Sequence, residues 1–383
     1  MALDAVTREQ LLETVRRFVR EKCVPIEAKV AEDDRIPESV LAEMRALGLF
    51  GLSIPAAYGG LGLTLEEEAL VVIELCRTSP VFRSAIGTNV GIGSQGVVMF
   101  GTEAQKNEWL PKLASGEVIA SFALTEPGAG SDAASLRTTA IRDGDDYVVN
   151  GTKRFITNAN RAGMFTLMAR TNPNVKGAPG ISAFIVPAAT PGVSIGKPEK
   201  KMGQQGAQIC DVIFEDARVP AHLRLGEEGE GFKLAMQVLD RGRIHISSVC
   251  VGVAERLIEE AVAYAKQREQ FGKKIGEFQL IQAMLADSKT EAYAARCMLL
   301  DAARKYDAGE KITMEAACTK YFASEMVGRI ADRTVQIFGG AGYVADYGVE
   351  RFYRDVRVFR IYEGTSQVQQ LVIAKNLLKS GGS

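Results

Sequence analysis

The chain is expected to adopt an α+β fold in three consecutive parts: helical, then β, then helical. Three observations predict it. Apolar residues recur at helical spacing towards both ends, short β-type runs broken by prolines fill the centre, and no alternating βαβ pattern or internal repeat occurs. In the first part, residues 1–120, Leu11, Leu12, Val15, Phe18 and Val19 mark one face of an amphipathic helix, and residues 37–49 repeat the pattern before Gly51. In the second part, residues 121–230, Gly144-Asp145-Asp146 leads into Tyr147-Val148-Val149, and Asn150-Gly151 predicts a tight hairpin turn before residues 153–156. Apolar runs at 165–169, 181–186 and 209–214 read as further strands, punctuated by Pro187, Pro191, Pro198 and Pro220. In the third part, residues 231–383, helical spacing returns. Leu257, Ile258, Ala261, Val262 and Ala265 form one stripe; Ala292, Ala295, Leu299 and Ala302 form another.

Composition narrows the function. The 383 residues suit two or three domains at about 150 residues each. Lys plus Arg (46) balance Asp plus Glu (47), so nothing draws the chain as a whole to nucleic acid or an anionic membrane, and an anionic ligand needs a local site. The six cysteines form no C-x-x-C pair, which excludes zinc-ribbon and dithiol redox spacing and suits buried thiols in a reducing compartment. With only His222 and His245, no metal site is expected; each is expected to be structural, although one could serve as a base. Residues 1–20 carry Asp4 and Glu9 and no apolar signal core, so a cytoplasmic location of bacterial type is expected. Residues 46–65 and 84–102 lack charge, but each holds five glycines, so buried, closely packed segments are expected rather than membrane spans. Gly91-Ile92-Gly93-Ser94-Gln95-Gly96 fits a dinucleotide fingerprint only in letters, because no strand precedes it.

Four segments carry the candidate chemistry. Thr125-Glu126-Pro127-Gly128-Ala129-Gly130-Ser131-Asp132, entered through Phe122 and Leu124, ends in a loop whose amides and hydroxyls could wrap a polar cofactor edge, or could simply join domains. Phe155-Ile156-Thr157 could pack on a ring and bond its edge, or could be core. Arg268-Glu269-Gln270-Phe271-Gly272, with Phe278-Gln279 beyond, offers an arginine for a phosphate, or a cation that suits a helix end. The last is Gln336-Ile337-Phe338-Gly339-Gly340, followed by Tyr362-Glu363-Gly364-Thr365-Ser366-Gln367. Glu363 stands just before a helix start, where Ser366-x-x-Gln369 fits a capping box. There it could be a desolvated base, or an acid placed for the helix dipole.

In this order on this plan, the four segments closely resemble the acyl-CoA dehydrogenase family of flavoproteins over nearly the whole chain. The resemblance implies an N-terminal helical domain (1–120), a middle β-barrel or sandwich (121–230) and a C-terminal four-helix bundle (231–383). It implies FAD bound along Phe122, Leu124, Thr125, Gly130, Ser131, Phe155, Ile156 and Thr157, and completed by Thr365 and Gln367. Arg268, Gln270, Phe271, Phe278, Gln279, Gln336, Ile337, Gly339 and Gly340 would reach the cofactor of a neighbouring subunit. At least a dimer is then required, and a homotetramer is the family's usual state. The implied reaction is the α,β-dehydrogenation of an acyl-CoA to trans-2-enoyl-CoA, as in fatty acid β-oxidation. Glu363 would be the base, its N–H would support the thioester oxygen, and an electron-transfer flavoprotein would be the acceptor. Ser84, Ser131, Asp240, Arg243, Tyr362 and Gly364 would meet substrate. Phe82-Arg83-Ser84-Ala85 further resembles the glutaryl-CoA dehydrogenase branch, whose arginine holds the far carboxylate of the acyl group. Arg83 would then select a dicarboxylyl-CoA, with or without decarboxylation; otherwise it pairs with an acid such as Glu74 and the acyl chain is aliphatic. An acyl-CoA oxidase, a non-catalytic flavin-bearing scaffold and a desulfinase-type relative are the remaining alternatives.

Overall fold

In the computed structural model, residues 2–380 are described. Helices α1 (Ala5–Phe18), α2 (Glu27–Asp33), α3 (Glu38–Ala46), α4 (Leu65–Leu75), α5 (Val81–Val90), α6 (Gln95–Phe100) and α7 (Glu103–Ser115) form the first part. Their starts are written locally. The Asp4 carboxylate caps α1, and capping boxes Thr64/Glu67 and Thr102/Gln105 open α4 and α7. Of the fingerprint-like glycines, Gly91 and Gly93 fall between α5 and α6 and Gly96 in the first turn of α6, and the Gly93 carbonyl accepts from the Thr166 hydroxyl, 2.7 Å away. They serve helix packing rather than a phosphate.

Strands β1 (Ala120–Ala123), β2 (Thr139–Asp143), β3 (Asp146–Thr157), β4 (Met164–Arg170), β5 (Ile181–Pro187), β6 (Val193–Ile195), β7 (Ile209–Pro220) and β8 (Arg224–Leu225) form one mixed sheet in the order β6-β7-β3-β2-β4-β5-β8, with β1 parallel to β4. The hairpin falls at Gly144, not at Asn150-Gly151. Thr139 to Asp143 pair with Asn150 to Asp146, and β3 runs on through Gly151. The ladder to β7 slips between Val149 and Gly151, and a Cβ at Gly151 would strike Thr138. The Asn-Gly pair therefore marks a bulge and a close approach rather than a turn.

The third part begins with α8 (Gly231–Gln267), which at about 1.5 Å per residue is roughly 55 Å long. The short strands β9 (Glu269–Gln270) and β10 (Lys273–Lys274) form a hairpin, and helices α9 (Gln279–Asp307), α10 (Thr313–Phe338), α11 (Val349–Asp355) and α12 (Ser366–Ser380) follow. Helices α8, α9 and α10 pack on one another and α12 packs on α10, while α4 closes one side against α8 and α9. Leu257 and the Leu299 stripe share one buried cluster with Val72 and Ile73 of α4, whereas Ala261 and Ala265 pack in a second cluster with Ile275 and Ile337. No helix among the described residues is long and apolar enough to cross a membrane.

Candidate active site

A cavity of about 590 Å³ opens where α5, the end of β1, the end of β3, α8 and the loop before α12 converge. Its apolar wall includes Phe122, Leu124, Ile156 and Leu239. Leu124 and Thr125 are fixed by a buried ion pair. Lys153 Nζ donates to the Leu124 carbonyl at 3.1 Å and to Glu126 Oε1 at 2.7 Å, and Glu126 also accepts from the amides of Arg137 and Thr138. Burial pulls Lys153 down to about 8, whereas the Lys153 charge and these bonds outweigh burial at Glu126 and hold it below the usual carboxylate range. At the end of β3, Phe155 adopts φ 58° beside a second slip of the ladder, which leaves its ring half exposed at the cavity with the Arg154 guanidinium 4.8 Å from its centroid.

Glu363 sits in the loop before α12 with φ 52°. Its Oε2 is buried and has no hydrogen-bond partner among the described residues. Burial raises its pKa above the ordinary carboxylate value, while the charges of Arg83, Lys320 and Arg243 oppose the rise. Where α8 passes the carboxylate the residue is Gly242, and a Cβ there would collide with Oε2. The loop is held by its carbonyls. Lys320 Nζ donates to the Gly364 carbonyl at 2.6 Å, and Gln369 Nε2 donates to those of Glu363 and Gly364, both at 3.1 Å. The Glu363 N–H makes no bond within the described chain and remains a free donor. The cap lies one residue before its predicted place. Thr365 Oγ1 accepts from the Val368 amide at 3.2 Å, and the Ser366 hydroxyl donates instead to Glu325 at 2.6 Å.

The cavity gathers Arg83, Ser84, Phe122, Leu124, Thr125, Gly130, Ser131, Phe155, Ile156, Thr157, Arg243, Tyr362, Glu363 and Gly364 from the predicted residues. Asp240, expected on the substrate side, does not line it. Its carboxylate accepts from Arg243 Nη1 at 2.6 Å and from the Thr313 hydroxyl at 2.7 Å, so it orients Arg243, which lies within α8. Thr365 and Gln367 also lie off the wall, as do Arg268, Gln270, Phe271, Phe278, Gln279, Gln336, Ile337, Gly339 and Gly340. Of these, Ile337 is buried and Phe278 half-buried, whereas Arg268, Gln270, Phe271, Gln279, Gln336, Gly339 and Gly340 are exposed.

Among the described residues Arg83 forms no ion pair with an acid. Glu74 is taken by Arg16 at 3.1 Å, and Arg83 Nε instead donates to His245 Nε2 at 2.6 Å. Sequence reasoning missed the support behind the wall, namely Lys320, Glu68 and the roles of Gln369 and His245. The readable signal was a charge within an otherwise apolar helix face, as at Lys320 and Glu68.

The residues fit a flavin. Thr125 and Thr157 line the cavity, and their hydroxyls have no partner among the described residues, beside an apolar wall and a half-exposed phenyl ring. That is a donor set for a flat ring with a polar edge. The chain matches the family models of the acyl-CoA dehydrogenase N-terminal domain over residues 6–117, the middle domain over 121–217 and the C-terminal domain over 229–378. It is 43% identical to an acyl-CoA dehydrogenase of Bacillus subtilis, covering 97% of this chain and 99% of the relative. Butyryl-CoA dehydrogenase from Megasphaera elsdenii superposes with a TM-score of 0.95 at 38% identity over 99% of both chains. Glutaryl-CoA dehydrogenase in its glutaryl-CoA complex superposes with 0.93 at 32% identity, over 99% of this chain and 96% of that one. The chain therefore belongs to the acyl-CoA dehydrogenases, FAD-dependent oxidoreductases that act on a CH–CH bond.

Proposed function

We propose that the chain dehydrogenates an acyl-CoA thioester between Cα and Cβ to give the trans-2-enoyl-CoA, with Glu363 as the base. The observation that carries this is the Glu363 carboxylate, desolvated and unpartnered at Oε2 on the cavity wall, with its own N–H free. The carboxylate takes the α-proton, and burial has already weakened its hold on the ionised form. The free N–H donates to the thioester oxygen as charge develops there, a contribution of about 3–4 kcal/mol in comparable sites. When bound, FAD supplies the two-electron acceptor, with N5 as the site for the Cβ hydride. Phe122, Leu124, Thr125, Gly130, Ser131, Phe155, Ile156 and Thr157 would hold its ring, and Ser84, Arg243, Tyr362 and Gly364 would border the thioester. Arg268, Gln270 and Phe271, exposed and away from the cavity, would serve the FAD of a second copy, with Phe278, Gln279, Gln336, Ile337, Gly339 and Gly340 around them. A homotetramer would follow, with an electron-transfer flavoprotein as the reoxidant. Glu363→Gln tests the reading: turnover with butyryl-CoA and a ferrocenium acceptor should fall by about 10²–10⁴-fold while the yellow colour stays. Turnover within a few fold of wild type would refute Glu363 as the base.

A second reading concerns the acyl group, and Arg83 favours it. Only 7% exposed, Arg83 meets a histidine rather than a carboxylate, and its terminal nitrogens make no bond among the described residues. A buried guanidinium without an anion is costly. An acyl chain ending in a carboxylate, as in glutaryl-CoA, would supply the anion. Arg83→Ala should then lose glutaryl-CoA turnover and keep butyryl-CoA turnover. Equal use of both substrates by the wild type would exclude this reading.

A further inference from the structure

Behind Arg83 lies a chain of buried groups that do not themselves line the cavity. Arg83 Nε donates to His245 Nε2 at 2.6 Å, and His245 Nδ1 lies 2.6 Å from Glu68 Oε1. Glu68 Oε2 forms an ion pair with Arg241, which also donates to the Val90 carbonyl at 3.4 Å. Arg83, His245, Glu68 and Arg241 are all buried. The bonding fixes the tautomer. An arginine N–H can only donate, so Nε2 must accept; the imidazole proton is then on Nδ1 and is donated to Glu68. Burial, reinforced by the Arg83 charge, holds His245 down to about 4, so the ring is neutral at ordinary pH. Glu68 stays below the usual carboxylate range, because Arg241 and the His245 bond outweigh its burial. Within this chain charge is thus matched between Glu68 and Arg241, while Arg83 forms no ion pair among the described residues and its charge acts on Glu363, which lines the same cavity. On the other side the guanidinium lies across Gly87, where a Cβ would stand 2.8 Å from Cζ. Helix α5 and the imidazole together leave it one position.

We propose that His245, oriented by Glu68, is the specificity-determining positioning residue of this enzyme: a neutral acceptor that fixes Arg83 without cancelling its charge, and so keeps the guanidinium available to an acyl-CoA whose tail ends in a carboxylate. This deepens, and rests on, the reading of Arg83 given above. A carboxylate in place of His245 would have held Arg83 as firmly and consumed its charge. An apolar residue would have left the charge but not the position.

The test compares kcat and KM for glutaryl-CoA and butyryl-CoA, with a ferrocenium acceptor, in holoenzyme of the wild type, Arg83→Ala, His245→Leu, His245→Asn and His245→Gln. Flavin content and melting temperature are measured alongside. In the wild type, kcat/KM should favour glutaryl-CoA, and Arg83→Ala should abolish the preference. His245→Leu should lower the glutaryl-to-butyryl ratio by about tenfold or more, mainly through the KM for glutaryl-CoA. His245→Asn, whose amide is too short to reach Arg83, should do the same if the leucine variant does not fold. His245→Gln, which keeps an acceptor, should restore most of the ratio. A wild-type preference that survives in His245→Leu or His245→Asn, or a parallel fall for both substrates in all three variants, overturns the role of His245 and leaves that of Arg83 standing. No preference in the wild type overturns both.

Discussion

Gly242 shows how narrowly a single atom bounds the base. It stands in the middle of α8 with Glu363 Oε2 where its Cβ would be. A methyl group there can be accommodated only if the carboxylate moves, and a shift of about 1 Å at a reacting group can cost about 10²-fold. Gly242→Ala should therefore lower kcat for butyryl-CoA strongly while the melting temperature stays near or above that of the wild type, since alanine is the better helix former. Stopped-flow bleaching of the flavin checks it; an unchanged reduction rate would mean that Glu363 has room the structure denies it. Single residues differed in how far the sequence disclosed them. Glu363 was legible because it stands inside Tyr362-Glu363-Gly364-Thr365-Ser366-Gln367, and Arg83 because it is the one charge between Arg77 and Glu103. Gly242, between Asp240 and Arg243, was not legible, since a glycine in a helix does not say what it makes room for. His245 was legible as one of two histidines, but its partner Glu68 is 177 positions away, a pairing that no local pattern encodes.

At the scale of elements, the loop before α12 is defined less by its own letters than by the helix behind it. Lys320 on α10 reaches the Gly364 carbonyl, and burial pulls its amine down to about 8, so it is still largely charged at neutral pH. That charge acts on Glu363 as well as on the loop, favouring the ionised carboxylate. A base must be deprotonated to act, so activity rises with pH through the Glu363 pKa. Because burial has raised that pKa, the acid limb should lie above the ordinary carboxylate range. Lys320→Met removes a positive charge and should move the limb to higher pH, whereas the Gly364 carbonyl keeps its bond from Gln369. The pH profile of kcat with butyryl-CoA checks this, and a limb that stays put or moves down would show that Lys320 serves packing alone. The helical, β, helical order was legible because the periods of about 3.6 and 2 residues survive any tertiary context. The turn at Gly144 and the cap at Thr365 were misassigned, each to a neighbouring motif of equal local merit. Tertiary contacts decided both: Thr138 packs against Gly151, and Glu325 claims the Ser366 hydroxyl.

For the whole molecule, the third part leaves several large apolar side chains exposed. Its core is closed around Leu257 and Leu299, yet Phe271 is 93% exposed, Tyr343 87%, Leu280 81% and Leu378 83%. Singly exposed apolar side chains need no explanation, but this number within one part is what the assembly proposed above would cover. Phe271 occupies the tip of the β9–β10 hairpin with φ 52°, held out from the fold and flanked by the exposed Arg268 and Gln270. A strained aromatic presented to solvent beside a free guanidinium makes sense if both reach into a neighbour. The wild type should sediment as a dimer or larger at micromolar concentration. Phe271→Asp, which strains the backbone no further, should weaken the assembly and release FAD in proportion, while the far-ultraviolet circular dichroism of the chain is unchanged. Sedimentation velocity read at 280 and 450 nm follows protein and flavin together. A variant that dissociates and stays yellow would confine the cofactor site to one chain, and one that neither dissociates nor loses colour would place the interface elsewhere.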